Sequence, residues 1–293
     1  MADLMVEIAL HVRAEHSEGP VWDSASARLW WVDITGERVH CFDPATGADC
    51  SWGVDGQPGG VLLDVDGTPV VGMPDGLAVL DRDAGTTTTI VGVEADLPEN
   101  RLNDMKADGA GRVWVGTMAY EKTEDHAACY RVVDGVVTQM VASMTISNGP
   151  AIDERSGRLY LADTARMRVD LFDLDPREGR LRGRRPFLDV SDEQVWPDGM
   201  AVDDEGCLWV ALGRSGQVRR YRPDGALDTV VELPVTNPTS VAFGGEDGGD
   251  LYVTSSWADL SEVERAEQPL AGAIFRCRPG VAGPASPRVG PLA

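Results

Sequence analysis

The stretch DGAGRVWVGTM, Asp108–Met118, decides the fold, because its pattern returns along the whole chain. A Gly- and Asp-rich turn leads into a short run in which apolar residues alternate, with an aromatic at the third place. RLWWVDI from Arg28, TPVVGMP from Thr68, RLYLADT from Arg158, CLWVALG from Cys207 and DLYVTSS from Asp250 follow the same plan. Trp30, Trp114, Tyr160, Trp209 and Tyr252 hold the aromatic place, and DVDG, DGAG, ERSG and DDEG supply turns. Four of these runs lead into a second apolar strand and another turn, as in RVHCFDPATG and VDLFDLDPREG. The starts lie 40 to 49 residues apart, the period of a four-stranded propeller blade. Helical periodicity is confined to WADLSEVERAEQ, which predicts a helical turn within a loop. Two stacked β-sandwiches would also be rich in strands and turns, but they do not predict a repeat of this length. The expectation is an all-β, six-bladed β-propeller with four-stranded antiparallel blades, one domain over residues 1–293. An N-terminal strand within 1–14 pairs beside AIFRCRPG to close the ring and leave no edge unpaired. The last stretch, 281–293, is expected to lie partly loose.

Composition narrows the function. The net charge of −22 repels phosphate backbones and anionic lipid heads, which argues against nucleic-acid and membrane-surface partners and leans toward a monomer. No apolar run approaches the roughly 20 residues of a membrane helix, and the acidic N-terminus does not read as a secretory signal. The five cysteines form no CxxC pair, which suits buried thiols in a reducing compartment, so a cytoplasmic protein is expected.

Counting back from each second strand to the start of the strand before it reaches Glu18, Asn103, Asn148 and Asp198 in four repeats. The same count reaches Pro58 and Gly59 in the second repeat and Thr239 in the sixth. Three of the four polar residues precede Gly, and singly each such dipeptide is an ordinary turn signal. Recurrence at one structural place argues for more. Innermost strands surround the channel of a propeller, so two carboxylates and two amides would converge there and need a cation. All-oxygen ligation suits a hard divalent ion: Ca²⁺ first, with Mg²⁺ or Mn²⁺ possible and Zn²⁺ or Fe²⁺ less favoured without His or Cys. The histidines His11, His16, His40 and His126 show no ligand spacing. Loops 119–128 and 257–272 would share the channel mouth as lids, the first bringing Glu121.

HSEGPVWD, RLNDMKADGAGRVWVGTM, ISNGPAIDERSGRLYLADT, WPDGMAVDDEGCLWVAL and LPVTNPTSVAFGG, taken together and in this order, resemble the motif series of the regucalcin/gluconolactonase (SGL) family. The resemblance implies a six-bladed propeller with one catalytic divalent metal and activity on sugar lactones. It places Glu18, Asn148 and Asp198 as metal ligands, with Asn103 touching the metal or the substrate. It also places Arg101 and Glu121 on the sugar and Asp198 as general base. Met105, Pro150 and the stretch ARMRVDLF depart from the family pattern without removing a ligand; Met105, Tyr120 and Met167 bear on the pocket wall. The chain has no Ser or Cys nucleophile in a G-x-S-x-G context, so a metal-polarised carbonyl and an Asp198-assisted water fit lactone opening better than covalent catalysis. The alternatives are organophosphate ester hydrolysis on the same scaffold, a non-enzymatic calcium-binding propeller and a protein-binding scaffold.

Overall fold

A computed structural model describes residues 4–292 of the chain. Its strands form six four-stranded antiparallel sheets arranged as the blades of a propeller. The inner strands are Ser17–Asp23, Gly60–Leu63, Asn100–Ala107, Ser147–Asp153, Trp196–Val202 and Pro238–Gly244. In the last blade Pro238–Gly244, Asp250–Ser255 and Ile274–Cys277 are joined by the N-terminal strand Val6–Leu10, which runs antiparallel to Ile274–Cys277 with Val6 opposite Cys277. The ring therefore closes with one strand from each end of the chain, as expected; residues 1–3 lie outside the described part.

Why the repeat folds as it does is visible at the first hairpin of five of the six blades. Asp23, Asp64, Asp108, Asp153 and Asp203 each accept a hydrogen bond from the amide two residues on, at 2.9–3.1 Å. Such side-chain turns fix the hairpin and the register behind it, so part of the acidic excess is turn chemistry. The following strand then buries its aromatic: Trp30, Trp114, Tyr160, Trp209 and Tyr252 are all at most 2% exposed. They fill the layers between neighbouring blades. Trp209 meets Phe243 of the next blade edge-on, with ring centroids 6.0 Å apart, and Tyr252 stacks on Trp22 across the closure at 5.6 Å. The helical turn expected in the last long loop is the helix Glu262–Glu267, begun by a capping box between Ser261 and Glu264.

The C-terminal stretch departs from expectation. Residues 281–292 are not loose but cross the face of the ring opposite the long loops. The Ala282 carbonyl accepts from the Asp204 amide, Gly283 N donates to Gly248 O, Val289 N to Leu63 O and Gly290 N to Gly111 O. Arg288 pairs with Asp23, and Val289 and Leu292 enter the core beside Leu62, Val70 and Val113. Backbone bonds to several blades hold the segment where its composition of Gly, Pro and Ala suggested none. Val289 is fully buried, so Val289→Ala is expected to cost about 2 kcal/mol, read as a lower urea midpoint at unchanged slope.

Candidate active site in the channel

Five of the six inner strands share one irregularity. Their pairing with the second strand skips one residue between Glu18 and Val21, Leu102 and Met105, Asn148 and Ala151, Pro197 and Met200, and Pro238 and Val241. A bulge of this kind re-aims side chains that strict alternation would hold apart. It also corrects the count from the sequence. Glu18 and Asn148 are the last paired residues before the bulge, whereas Asn103 and Asp198 lie inside it. The four thus come from two adjacent positions and not from one. The turn is made at Gly149, with φ +77°, where a Cβ would meet Met200 Cε at 2.5 Å. The inner strand of the second blade contributes no side chain at the matching place because its backbone runs too close to the third: a Cβ on Gly59 would collide with the Leu102 carbonyl; Gln57, ahead of that strand, lines the cavity instead.

The site is a cavity of about 420 Å³ at the mouth of the channel, lined among others by Glu18, Arg101, Asn103, Asn148 and Asp198. Asn148 donates from Nδ2 to Thr164 Oγ1 at 2.7 Å, and Thr164 donates in turn to the Pro197 carbonyl at 2.7 Å. This chain turns the Asn148 oxygen toward Asn103. Asn103 presents its nitrogen there, donating to Asn148 Oδ1 and to Ser147 O. Its own oxygen accepts from Arg101 Nη1 at 2.8 Å. Asn103, expected as an oxygen donor to a cation, is thus placed as a brace between Arg101 and Asn148.

Three further residues were missed by the sequence reading. Asp104 is 5% exposed and accepts from the Gly149 amide at 3.0 Å; burial pushes its carboxyl up to about 6. Strand alternation alone would turn Asp104 away from Asn103, and the bulge overrules it. His16 also lines the cavity, where burial pushes its imidazole down to about 4 and keeps it neutral. Lys122 is the third. Glu121, expected on the sugar, is exposed and does not line the cavity, whereas its neighbours Tyr120 and Lys122 do. From the other long loop come Ala258 and Asp259, and Lys122 Nζ lies 4.0 Å from Asp259 Oδ1, so the two loops meet across the mouth. The pair is half-exposed on both sides, which makes it a weak latch.

The electrostatics of the site are acidic and desolvated. Burial, with the neighbouring Asp104 charge, pushes the carboxyls of both Glu18 and Asp198 well above the usual range. None of the three carboxyls forms a salt bridge among the described residues; the Lys106 charge acts on Glu18 and Asp104, and burial makes both it and the Arg101 charge costly. Among the described residues no three Asp, Glu, His or Cys side chains group tightly as ligands. The set that fits a hard ion is mixed: the Glu18 and Asp198 carboxylates and the Asn148 oxygen.

A pH dependence follows. Without a cation the folded protein retains protons on Glu18, Asp104 and Asp198 that the unfolded chain releases near pH 4. Stability from these groups is therefore fully present below that value and is lost as pH rises through the raised values. Metal-stripped protein is expected to melt at a lower temperature at pH 7 than at pH 5. Added divalent ion should raise the melting temperature more at pH 7, because protons compete with it at pH 5. Thermal scans at the two pH values, with and without Ca²⁺, check this.

A six-bladed propeller with a buried acidic cavity at one channel mouth is the class that fold and site define. The chain belongs to the SMP-30/gluconolactonase/LRE-like (SGL) family, whose model matches residues 16–257. It is 33% identical over 285 residues to regucalcin of Xenopus laevis, covering 94% of this chain and 95% of the relative. It is 36% identical over 267 residues to the pentonolactonase XacC of Haloferax volcanii, covering 88% and 89%. The crystal structure of the calcium-binding protein regucalcin from Agrobacterium tumefaciens superposes with a TM-score of 0.93 at 28% identity, covering 98% of this chain and 99% of that one. No helix among the described residues is long and apolar enough to cross a membrane.

Proposed function

We propose that the protein is a lactonase that opens a sugar lactone to its aldonate with the help of one divalent ion. The observation that carries this reading is the set of three carboxyls pushed up by desolvation, Glu18, Asp104 and Asp198, none in a salt bridge among the described residues, gathered beside a cavity large enough for a single sugar ring. Family membership and the pentonolactonase relative support the substrate class. The calcium-binding regucalcin relative supports Ca²⁺ as the expected ion.

Glu18, Asn148 and Asp198 would hold the ion, which when bound supplies positive charge that stabilises the oxygen of an attacked ester carbonyl. Asp198 accepts a proton from the attacking water. Its burial makes it a better base than an exposed carboxylate, and charge neutralisation in the site keeps it ionised. Arg101 has five N–H donors, of which Nη1 is committed to Leu102 O and Asn103 Oδ1, so it retains donors for substrate oxygens. Tyr120 and Lys122 reach the cavity from the loop and fit recognition of ring hydroxyls. Accordingly, Lys122→Ala is expected to raise KM several-fold with kcat little changed, while Glu121→Ala leaves both near wild type; steady-state kinetics on the preferred lactone decides.

The test is a pH-indicator assay of lactone opening by metal-stripped protein, over a panel of aldonolactones with Ca²⁺, Mg²⁺, Mn²⁺, Zn²⁺ or Fe²⁺ restored. Turnover above the spontaneous rate that requires a restored ion is the expected result. Turnover indifferent to stripping would overturn the metal-dependent reading. Ion binding without turnover on any lactone would leave a calcium-binding propeller, the reading that the Agrobacterium relative also favours.

A further inference from the structure

We propose that Cys41 and Cys50 are a reversible dithiol–disulfide pair, oxidised by thiol–disulfide exchange with a carboxylate-bearing low-molecular-weight disulfide. The two residues stand opposite each other on the outer strands Arg38–Asp43 and Ala48–Gly53 of the first blade. Directly opposed residues of antiparallel strands point to the same face, with Cα atoms about 4.5 or 5.5 Å apart, inside the window of about 4.4–6.8 Å that a disulfide spans. Trp30 lies opposite Cys41 on the next strand inward, so Trp30, Cys41 and Cys50 form one row across three strands.

That row borders a cavity of about 540 Å³ between the first and second blades, the opposite side of the ring wall from the channel. Both cysteines line it, with Trp30 and Trp52 stacked at 5.7 Å and the guanidinium groups of Arg28, Arg82 and Arg288 around them. Asp23 and Asp66 also line it, and Arg28 pairs with Asp43 and Arg288 with Asp23, so Arg82, over the Trp30 ring at 6.0 Å, is the one of the three without a salt bridge among the described residues. The cavity offers aromatic faces and the Arg82 guanidinium to a small anionic molecule. Of the remaining cysteines, Cys129, Cys207 and Cys277 are all buried and none faces another across a strand pair.

Access gives the two sulfurs different roles. Cys50 is exposed and attacks; Cys41 is buried and resolves. The Cys50 thiolate attacks one sulfur of the small disulfide, whose S–S bond breaks, and the departing thiolate takes up a proton. Cys41 then releases its proton to solvent, and its sulfur attacks Cys50 sulfur and expels the second small thiol. Two protein thiols are oxidised to one disulfide, and one small disulfide is reduced to two thiols. Burial pushes the Cys41 thiol up to about 11, with Arg28 acting against it, so the second step is the slower one.

The experiment is incubation of the purified protein with glutathione disulfide at pH 8, followed by thiol counting and peptide mapping by mass. Wild type is expected to lose two of its five free thiols, with a cross-link between the peptides of Cys41 and Cys50 that dithiothreitol reverses. Cys41→Ser should instead accumulate a stable glutathione adduct on Cys50, and Cys50→Ser should lose no thiol. Because Cys50 is exposed, the second variant tests the idea even if the first does not fold. A wild type that keeps the adduct on Cys50 without cross-linking, or that loses thiols elsewhere first, overturns the proposal.

Discussion

Asp198→Ala is expected to lower kcat for lactone opening by about 10²–10⁴-fold, the usual worth of a positioned acid–base group, and to weaken divalent-ion binding as well. Asp198 lies inside the bulge of its inner strand and lines the cavity, half-buried. Asp198→Asn separates its two roles. The amide keeps the shape and one oxygen donor but cannot take a proton, so it should bind the ion more weakly and turn over no faster than the alanine variant. Calorimetry with Ca²⁺ and the pH-indicator assay, run on both variants with circular dichroism as a control for folding, read the two effects apart. Retention of wild-type kcat at saturating ion would remove Asp198 from the chemistry.

The second large effect is structural. Trp114→Ala should cost about 3–5 kcal/mol, a drop in melting temperature on the order of 10 °C for a chain of this size. The indole is fully buried in the core layer that includes Leu159, Leu161 and Phe172 of the next blade, and its Nε1 donates to Asp108 Oδ2 at 2.9 Å. That carboxylate also takes the Arg112 Nε at 2.6 Å and the turn amides of Ala110 and Arg112. Removing the ring opens a cavity between blades and takes one partner from a buried acid. Trp114→Phe, which keeps most of the volume, should cost much less. The fifth blade repeats the device with Trp209 and Asp203 at the same 2.9 Å, so Trp209→Ala should behave alike. Urea unfolding of the variants tests whether these Asp–Trp links are equivalent.

The blade count, the closing strand and the capped helix at Ser261 were legible because each rests on local signals. Aromatics recur at one place in a short alternating strand, Asp initiates its own turn, and Ser and Glu three apart begin a helix. Glu18, Asn103, Asn148 and Asp198, counted from the repeat, and Arg101, placed by the family resemblance, all line one cavity. What escaped depends on contacts between distant segments. Asp104 carries no such signal, since alternation assigns neighbours to opposite faces and only a bulge against the second strand reverses that. The family resemblance places Glu121 on the sugar, but the loop turns the glutamate to solvent and its neighbour Lys122 toward Asp259. The tail beyond Val281 carries no periodic signal, yet its backbone finds partners on several blades.

By itself, then, the order of residues determined how many blades form, where each hairpin turns and which donor types stand at the inner ends of the strands. These follow from period and turn chemistry within a few residues. The tertiary structure decided which donors face one another, how far burial shifts their charges, which loop residues close the mouth and that the last residues seal the far side. Those outcomes are set by backbones from separate blades approaching within van der Waals contact, a distance that no local pattern encodes.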